Sequence, residues 1–329
     1  MPQPDVGDVH VNALLTQMSI AHMNKLEHFI ADRVFPPVGV DKQSDIYLVY
    51  DRGEFFQGSE DAQSMRNLLR APGTRAPVAG YKVTKTNTYR CDNFAIGVEI
   101  PDELRGNADA VFQLDKEASE LATQIQLIRR ERAFAVDFMK TTVWGTDKTG
   151  TTDFVKWSDY GGSDPFTDLE DGIDSIEGKT GQRPNKLTMG AIAWRRLKHH
   201  PDLVDRIKGG ATSGAPALVQ RQLLASILEI DEVLIGRASY RSSVEGASLT
   251  MARIVDDDAL LLFAPPTPGR LTPSGGVTFF WKPLVGGQLQ FMRKYRLDPE
   301  KKDVIENHSY VDQVATETES GYFFADCVD

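Results

Sequence analysis

The longest uninterrupted helical pattern in the chain runs from Leu114 to Met139, LDKEASELATQIQLIRRERAFAVDFM, and contains neither Gly nor Pro. Leu114, Ala118, Leu121, Ile125, Ile128, Ala135 and Met139 recur at spacings of three and four, interrupted at Arg132, while Glu117, Glu120, Gln124 and Glu131 fall elsewhere. That alternation predicts one apolar stripe on a polar rod, with Leu114, Leu121, Ile125, Ile128 and Met139 as its packing residues. At ~1.5 Å per residue the rod is roughly 39 Å long, enough to act as a spine for whatever packs on it.

The rest of the chain falls into shorter elements around this spine. Val11 to Ile30 shows helical spacing and predicts an amphipathic arm, ended by Phe35-Pro36-Pro37 because two prolines force an extended path. Such an arm packs either on its own subunit or on a neighbour. Ile46–Tyr50 (IYLVY) and Tyr81–Tyr89 (YKVTKTNTY) read as strands flanking Asp51–Gly80, which is rich in glycine and charge and has almost no periodicity. A loop of this length within a compact domain is functional or disordered, and Phe55, Phe56, Leu68 and Leu69 favour a functional hairpin whose apolar tip becomes buried against a partner. The nearby Arg66, Arg70 and Arg75 can pair with acidic surface there.

Asn93–Ile100 alternates as a strand, with Phe94, Ile96, Val98 and Ile100 on one face. After the spine, Thr141–Pro165 reads as irregular surface structure up to a boundary near Gly161-Gly162. Asp164-Pro165 then opens a helix carrying Phe166, Leu169, Ile173 and Ile176 on one face. Short helices follow over Ala191–His199, Leu203–Lys208 and Ala217–Leu228, with strands at LTM, Val233–Gly236, Leu249–Ile254 and Leu260–Phe263. Strands at Val277–Trp281 and Gln288–Arg293 and a strand-turn-strand over Val304–Asp329 close an α+β fold.

Composition narrows the function classes. The 329 residues suffice for about two domains. A net charge of -10 argues against a surface built to neutralise phosphates, so DNA contact is expected to be weak and non-specific. Cys91 and Cys327 stand in no paired spacing, as in a protein of a reducing cytoplasm. No apolar run nears the ~20 residues of a membrane span, and MPQPDVGDVH is no signal peptide.

Candidate chemistry is thin. Gly178-Lys179-Thr180 resembles the end of a phosphate loop, but position 173 is Ile where the motif needs Gly, leaving a nucleotide-dependent enzyme using Lys179 as a weak alternative. His199-His200 diverge on a helix end, where the dipole favours them, and Asp256–Asp258 read as a solvated turn lacking the ligand spacing of a calcium loop. No catalytic, cofactor-binding or metal site is expected.

Several phrases carry a resemblance. FPPVGVDKQSDIYLVYDRGEFF (Phe35–Phe56), RAPGTRAPVAGYKV (Arg70–Val83), DNFAIGVEIPDE (Asp92–Glu103), RRERA (Arg129–Ala133), and TGQRPNKLTMG followed by Trp194–Leu203 with its HPDL resemble the major capsid proteins of tailed double-stranded DNA bacteriophages, across nearly the whole chain. The resemblance implies the phage major-capsid fold, shared with encapsulins: an N-terminal arm (1–44), an extended loop over a neighbouring subunit (45–90), a peripheral domain with the spine (91–160), an axial α/β domain (161–269), and return strands of the peripheral domain that end either there or in the axial one (270–329). It further implies an icosahedral shell of hexamers and pentamers around phage DNA, assembled in the host bacterial cytoplasm and carried in the virion. Portal and decoration proteins are implied as partners. A separate scaffolding protein is implied too, because some members carry a scaffolding prefix and this sequence opens on the arm. An encapsulin-like cellular compartment is the alternative. Some members join a loop-tip lysine to a neighbour's asparagine, but no lysine occurs from Gln43 through Tyr81 here.

Overall fold

The computed structural model describes residues 23–50, 70, 72–75, 83–108, 113–208, 220–269, 272–285 and 287–329. The chain divides into two compact units, one of residues 42–90 and one of 1–41 with 91–329. In the larger unit, α1 (Ala31–Val34) leads directly into strand β1 (Pro37–Val40). Of the expected arm helix, residues 11–22 lie outside the described part, and residues 26–28 form only a single 3-10 turn.

The smaller unit is an antiparallel ribbon, in which β2 (Ser44–Ile46) and β3 (Val49–Tyr50) run against β4 (Val83–Thr84) and β5 (Thr88–Arg90). Asp45 stands opposite Tyr89 and Val49 opposite Thr84, and the Tyr47 amide donates to the Asn87 carbonyl between the two ladders. The two expected strands thus pair as a hairpin. Alternation places polar side chains on both of its faces, so it does not build a core of its own.

The larger unit holds two five-stranded sheets. The first is organised on the long strand β15, which pairs with β6 (Asp92–Pro101) along one side and with β13 (Gly276–Trp281) and β14 (Phe291–Leu297) along the other; β1 runs parallel to β13. β15 itself spans Lys302–Ala315. After β6 comes α2 (Asp102–Asn107), then the spine helix α3 (Leu114–Phe138). The second sheet has the order β7-β16-β12-β8-β9, from Thr146–Thr149, Gly321–Ala325, Ala259–Leu262, Lys186–Gly190 and Glu232–Gly236. Thr146–Thr149 was expected to be irregular. It is an edge strand, and its TDKT sequence lacks apolar alternation because only its parallel pairing with β16 defines it.

Strand alternation explains how the second sheet is buried on both sides. Ala259, Leu261, Leu187, Met189, Tyr322 and Phe324 face one cluster, closed by α4 (Pro165–Thr180), α5 (Ala191–Leu197), α6 (Pro201–Lys208) and α7 (Arg221–Ile227). Leu260, Leu262, Phe323 and Leu234 face the opposite cluster, closed by Ile30, Ala31, Val34 and Phe35 and by Phe134, Phe138 and Met139 at the end of the spine. A strand buried on both faces reads as a continuous apolar run, as ALLL does. α4 follows the sequence closely: Asp164 accepts from the Thr167 amide at its start, Pro165 occupies the first turn, and Gly181 ends it at φ 66°. Gly276 has a separate reason. A Cβ there would overlap the Phe35 ring.

The spine lies across β6 and β15 with its first half and meets the second sheet's cluster with its last turns. Its buried row is not the expected one. Ala118, Ala122, Gln126, Arg130, Phe134 and Phe138 recur at every fourth position and are buried, with Gln124, Leu127 and Glu131 beside them. Leu121, expected inside, is 49% exposed; Leu114, Ile125 and Ile128 are half-buried, and Met139 is buried. The physical reason is that small and polar residues won the inner face. Alanines let the helix approach the sheet, and the Gln126 amide donates to the Phe94 and Asn307 carbonyls at 2.7 and 3.2 Å. A hydrophobic count is blind to both effects.

Candidate assembly surfaces

The arm is tied to the spine by charge as well as by packing. Glu131 accepts hydrogen bonds from the Ile30 amide (2.9 Å to Oε2, 3.1 Å to Oε1) and from the Ala31 amide (2.8 Å), the free donors at the start of α1. One residue earlier on the spine, Arg130 Nη2 meets Asp32 Oδ2 at 2.7 Å. At the other end of α1, Lys186 Nζ donates to the Arg33 and Val34 carbonyls, while Arg33 pairs with Glu232. Both termini of a one-turn helix are therefore held by side chains from distant elements, which such a helix needs because it cannot persist alone.

Burial dominates the electrostatics of this clasp. It pushes Glu131 up to about 7, against the lowering effect of the two backbone donors. Burial likewise raises Asp32, opposed by Arg130, and brings Lys186 down to about 8. Phe35 completes the clasp, set edge-on to Phe134 at 5.2 Å and to Phe138 at 4.7 Å. Trp144 closes the spine by donating from Nε1 to the Phe138 carbonyl at 2.8 Å.

Of the loop residues expected to meet a neighbour, Phe55, Phe56, Arg66, Leu68 and Leu69 lie outside the described residues. Arg70 and Arg75 are described and exposed, and Arg70 Nε donates to the Thr74 carbonyl. Elsewhere the larger unit exposes large apolar side chains: Val136 on the spine, and Val244, Leu249 and Met251 on the hairpin formed by β10 (Ser239–Arg241) and β11 (Met251–Arg253). Sequence reasoning did not single out that hairpin, although the isolated Val244 and Leu249 in a polar stretch were its signal.

The chemical candidates have structural employment. Lys179 pairs with Glu319 at 3.0 Å and donates to Thr146 Oγ1 at 2.7 Å, tying the end of α4 to the neighbouring loops. His200 is buried 3.0 Å from Ser163 Oγ, and burial lowers its pKa. The Asp256–Asp258 turn departs from the solvated reading. Asp258 is shielded enough to be pushed up to about 6, and it accepts the Asp326 amide at 3.0 Å. Cys91 and Cys327 are both buried. Among the described residues no group of His, Cys, Asp and Glu is placed to hold a metal ion, and no helix is long and apolar enough to cross a membrane.

Two sheets bridged by one long helix, with an arm threaded through the core and a separate hairpin, make up the phage major-capsid fold. A phage-related protein from Bordetella bronchiseptica superposes with a TM-score of 0.67 at 19% identity, over 96% of this chain and 97% of that one. The capsid protein of cyanophage P-SCSP1u gives 0.60 at 11% identity, over 93% and 90%. Within that class, residues 146–276 match the family model of phage major capsid protein E. The major capsid protein of Burkholderia phage BcepMu is 26% identical over 74% of this chain and 76% of its own length; that of Pseudomonas phage JBD67 is 24% identical over 95% and 96%. The resemblance drawn from the sequence phrases is borne out.

Proposed function

We propose that this chain is the structural subunit of a phage capsid, self-assembling into the icosahedral shell that encloses double-stranded DNA. The observation that carries this reading is the kinship with a phage major capsid protein along essentially the full length of both chains. The chemistry is consistent with it: Lys179 and His200, weak nucleotide- and metal-binding candidates in the sequence, are engaged with Glu319 and Ser163, and the acidic chain is repelled by the DNA it would enclose. The chain has a structural role and no catalytic one. Its principal partner is itself, in hexamers and pentamers, and its place is the virion after assembly in the host cytoplasm. A scaffolding protein and a portal join it during assembly, and a decoration protein can add to the finished shell.

The loop between β3 and β4 reaches a neighbouring copy, carrying Phe55, Phe56, Arg66, Leu68, Leu69, Arg70 and Arg75 into that contact. Electron microscopy of the expressed chain tests the reading directly. Closed shells are expected, and particles purified from phage lysates are expected to hold nuclease-resistant DNA. Shells that hold host protein instead of DNA would identify an encapsulin-like compartment. A chain that stays monomeric under all assembly conditions would overturn the proposal.

A further inference from the structure

We infer that the β10–β11 hairpin is an apolar peg that seats in a second copy of this chain, an inference that rests on the shell reading and names one of its contacts. Three large apolar side chains crowd its outer end: Val244 is 75% exposed, Leu249 70% and Met251 55%. Among the described residues no third strand pairs with the hairpin. It is nevertheless pre-formed. Ser242 and Thr250 bond across the loop, the Thr250 amide donates to Ser243 Oγ, and Arg241 donates to Ser243 Oγ from Nε and to the Val244 carbonyl from Nη2. At the base, Asn24 Nδ2 donates to the Ser239 carbonyl at 2.8 Å and the Arg132 guanidinium stacks 4.4 Å over the Tyr240 ring, bracing the hairpin against the spine.

Rigidity at an exposed apolar tip lowers the entropy lost on docking, a saving that only a docked state uses. The occupant follows from charge. Arg237, Arg241 and Arg253 stand against one acid, Glu245, on a chain whose net charge is -10, so the hairpin is basic on a chain that is acidic overall. Nucleic acid matches the arginines equally well. It would leave Val244, Leu249 and Met251 in water, whereas a protein surface buries them.

The test uses the full chain with Leu249→Cys. Both native cysteines are buried, so the new thiol is the reactive one. Maleimide labelling is expected to be fast in dissociated subunits and many-fold slower in assembled particles, to the same degree in DNA-free and DNA-filled shells. Equal labelling in subunits and shells overturns the peg, as does slow labelling already in free subunits, which would mean that the chain's own arm covers it. Protection confined to DNA-filled shells overturns it in favour of nucleic acid. The parallel variant Val244→Ser/Leu249→Ser/Met251→Ser is expected to keep the wild-type circular dichroism and melting profile while losing shells in sedimentation and microscopy. If the wild type forms shells and this variant forms them equally well, the peg fails alone; if the wild type forms none, the shell reading fails with it.

Discussion

The Ala31 amide donates to Glu131 Oε2 at 2.8 Å, joining a residue of the arm to one a hundred positions later on the spine. The same carboxylate takes the Ile30 amide, so one side chain satisfies two buried donors that α1 cannot satisfy itself. Glu131→Ala should therefore cost about 2–4 kcal/mol, since both donors are left buried without acceptors. Glu131→Gln keeps one acceptor oxygen and should cost less. Denaturant melts of the isolated subunit measure both, and equal midpoints for wild type and Glu131→Ala would refute the clasp.

The acidity of that carboxylate gives a pH signature. Its folded value, about 7, lies above its ordinary 4.5, so the folded state holds the proton more tightly than the unfolded state. Its stabilising share is complete below the ordinary value and is lost as pH rises through 7. Asp258, raised to about 6, acts in the same direction. Between pH 5 and pH 8 the melting temperature of the wild type should fall by more than that of Glu131→Gln, which keeps the Asp258 share and the opposing share of buried His200 but loses that of Glu131. Parallel pH profiles would show that Glu131 does not titrate in this range.

The two sides of the spine should respond in opposite ways. Ala122 is fully buried and an aspartate there has no partner, so Ala122→Asp should cost about 3 kcal/mol or more and unfold much of a marginal subunit. Leu121→Asp, one residue away on the half-exposed side, should leave the melting temperature of the isolated subunit nearly unchanged. Matching losses for the two variants would contradict the observed face.

Deleting Gly58–Pro77 should leave a folded, soluble subunit, because the larger unit has its own two sheets and cores without that loop. Shell formation should be lost. Normal particles from the deletion would remove the loop from the list of contacts between copies.

Mature particles should also be free of covalent cross-links. Lysine is absent from Gln43 through Tyr81, and a guanidinium, the only basic side chain there, does not serve as the nucleophile that forms an amide link. Boiled under reducing conditions, particles should run as a single band near 36.5 kDa. A ladder of oligomers would implicate Lys82 or Lys85.

How far the sequence could be read varies with the kind of force involved. α4 was legible in full because its cap, its proline and its Phe166–Leu169–Ile173–Ile176 face are all local signals. The Phe94–Ile100 alternation likewise marked the face of β6 that meets the spine. The spine's extent was legible for the same reason, but its orientation was not. Gln126 and Glu131 are buried because partners from 32 to 181 residues away satisfy them, Arg130 is buried against Asp32 98 residues away, and nothing near them in sequence announces those partners. Thr146–Thr149 was missed because an edge strand is defined by its neighbour. The apolar residues of the 51–80 loop suggested a contact surface, and the same argument applies to the exposed Val244 and Leu249.

The place of β16 between β7 and β12 has a consequence for synthesis. On the ribosome, β8, β9 and β12 emerge long before Gly321, and β7 earlier still, yet β7 has no partner in the sheet until β16 arrives between it and β12. Any product that stops short of Gly321 lacks an interior strand and leaves both Leu260 and Leu262 facing a gap where Phe323 belongs. Such a fragment cannot present the finished surface of a subunit. Incomplete chains are thereby kept from taking the place of a finished subunit.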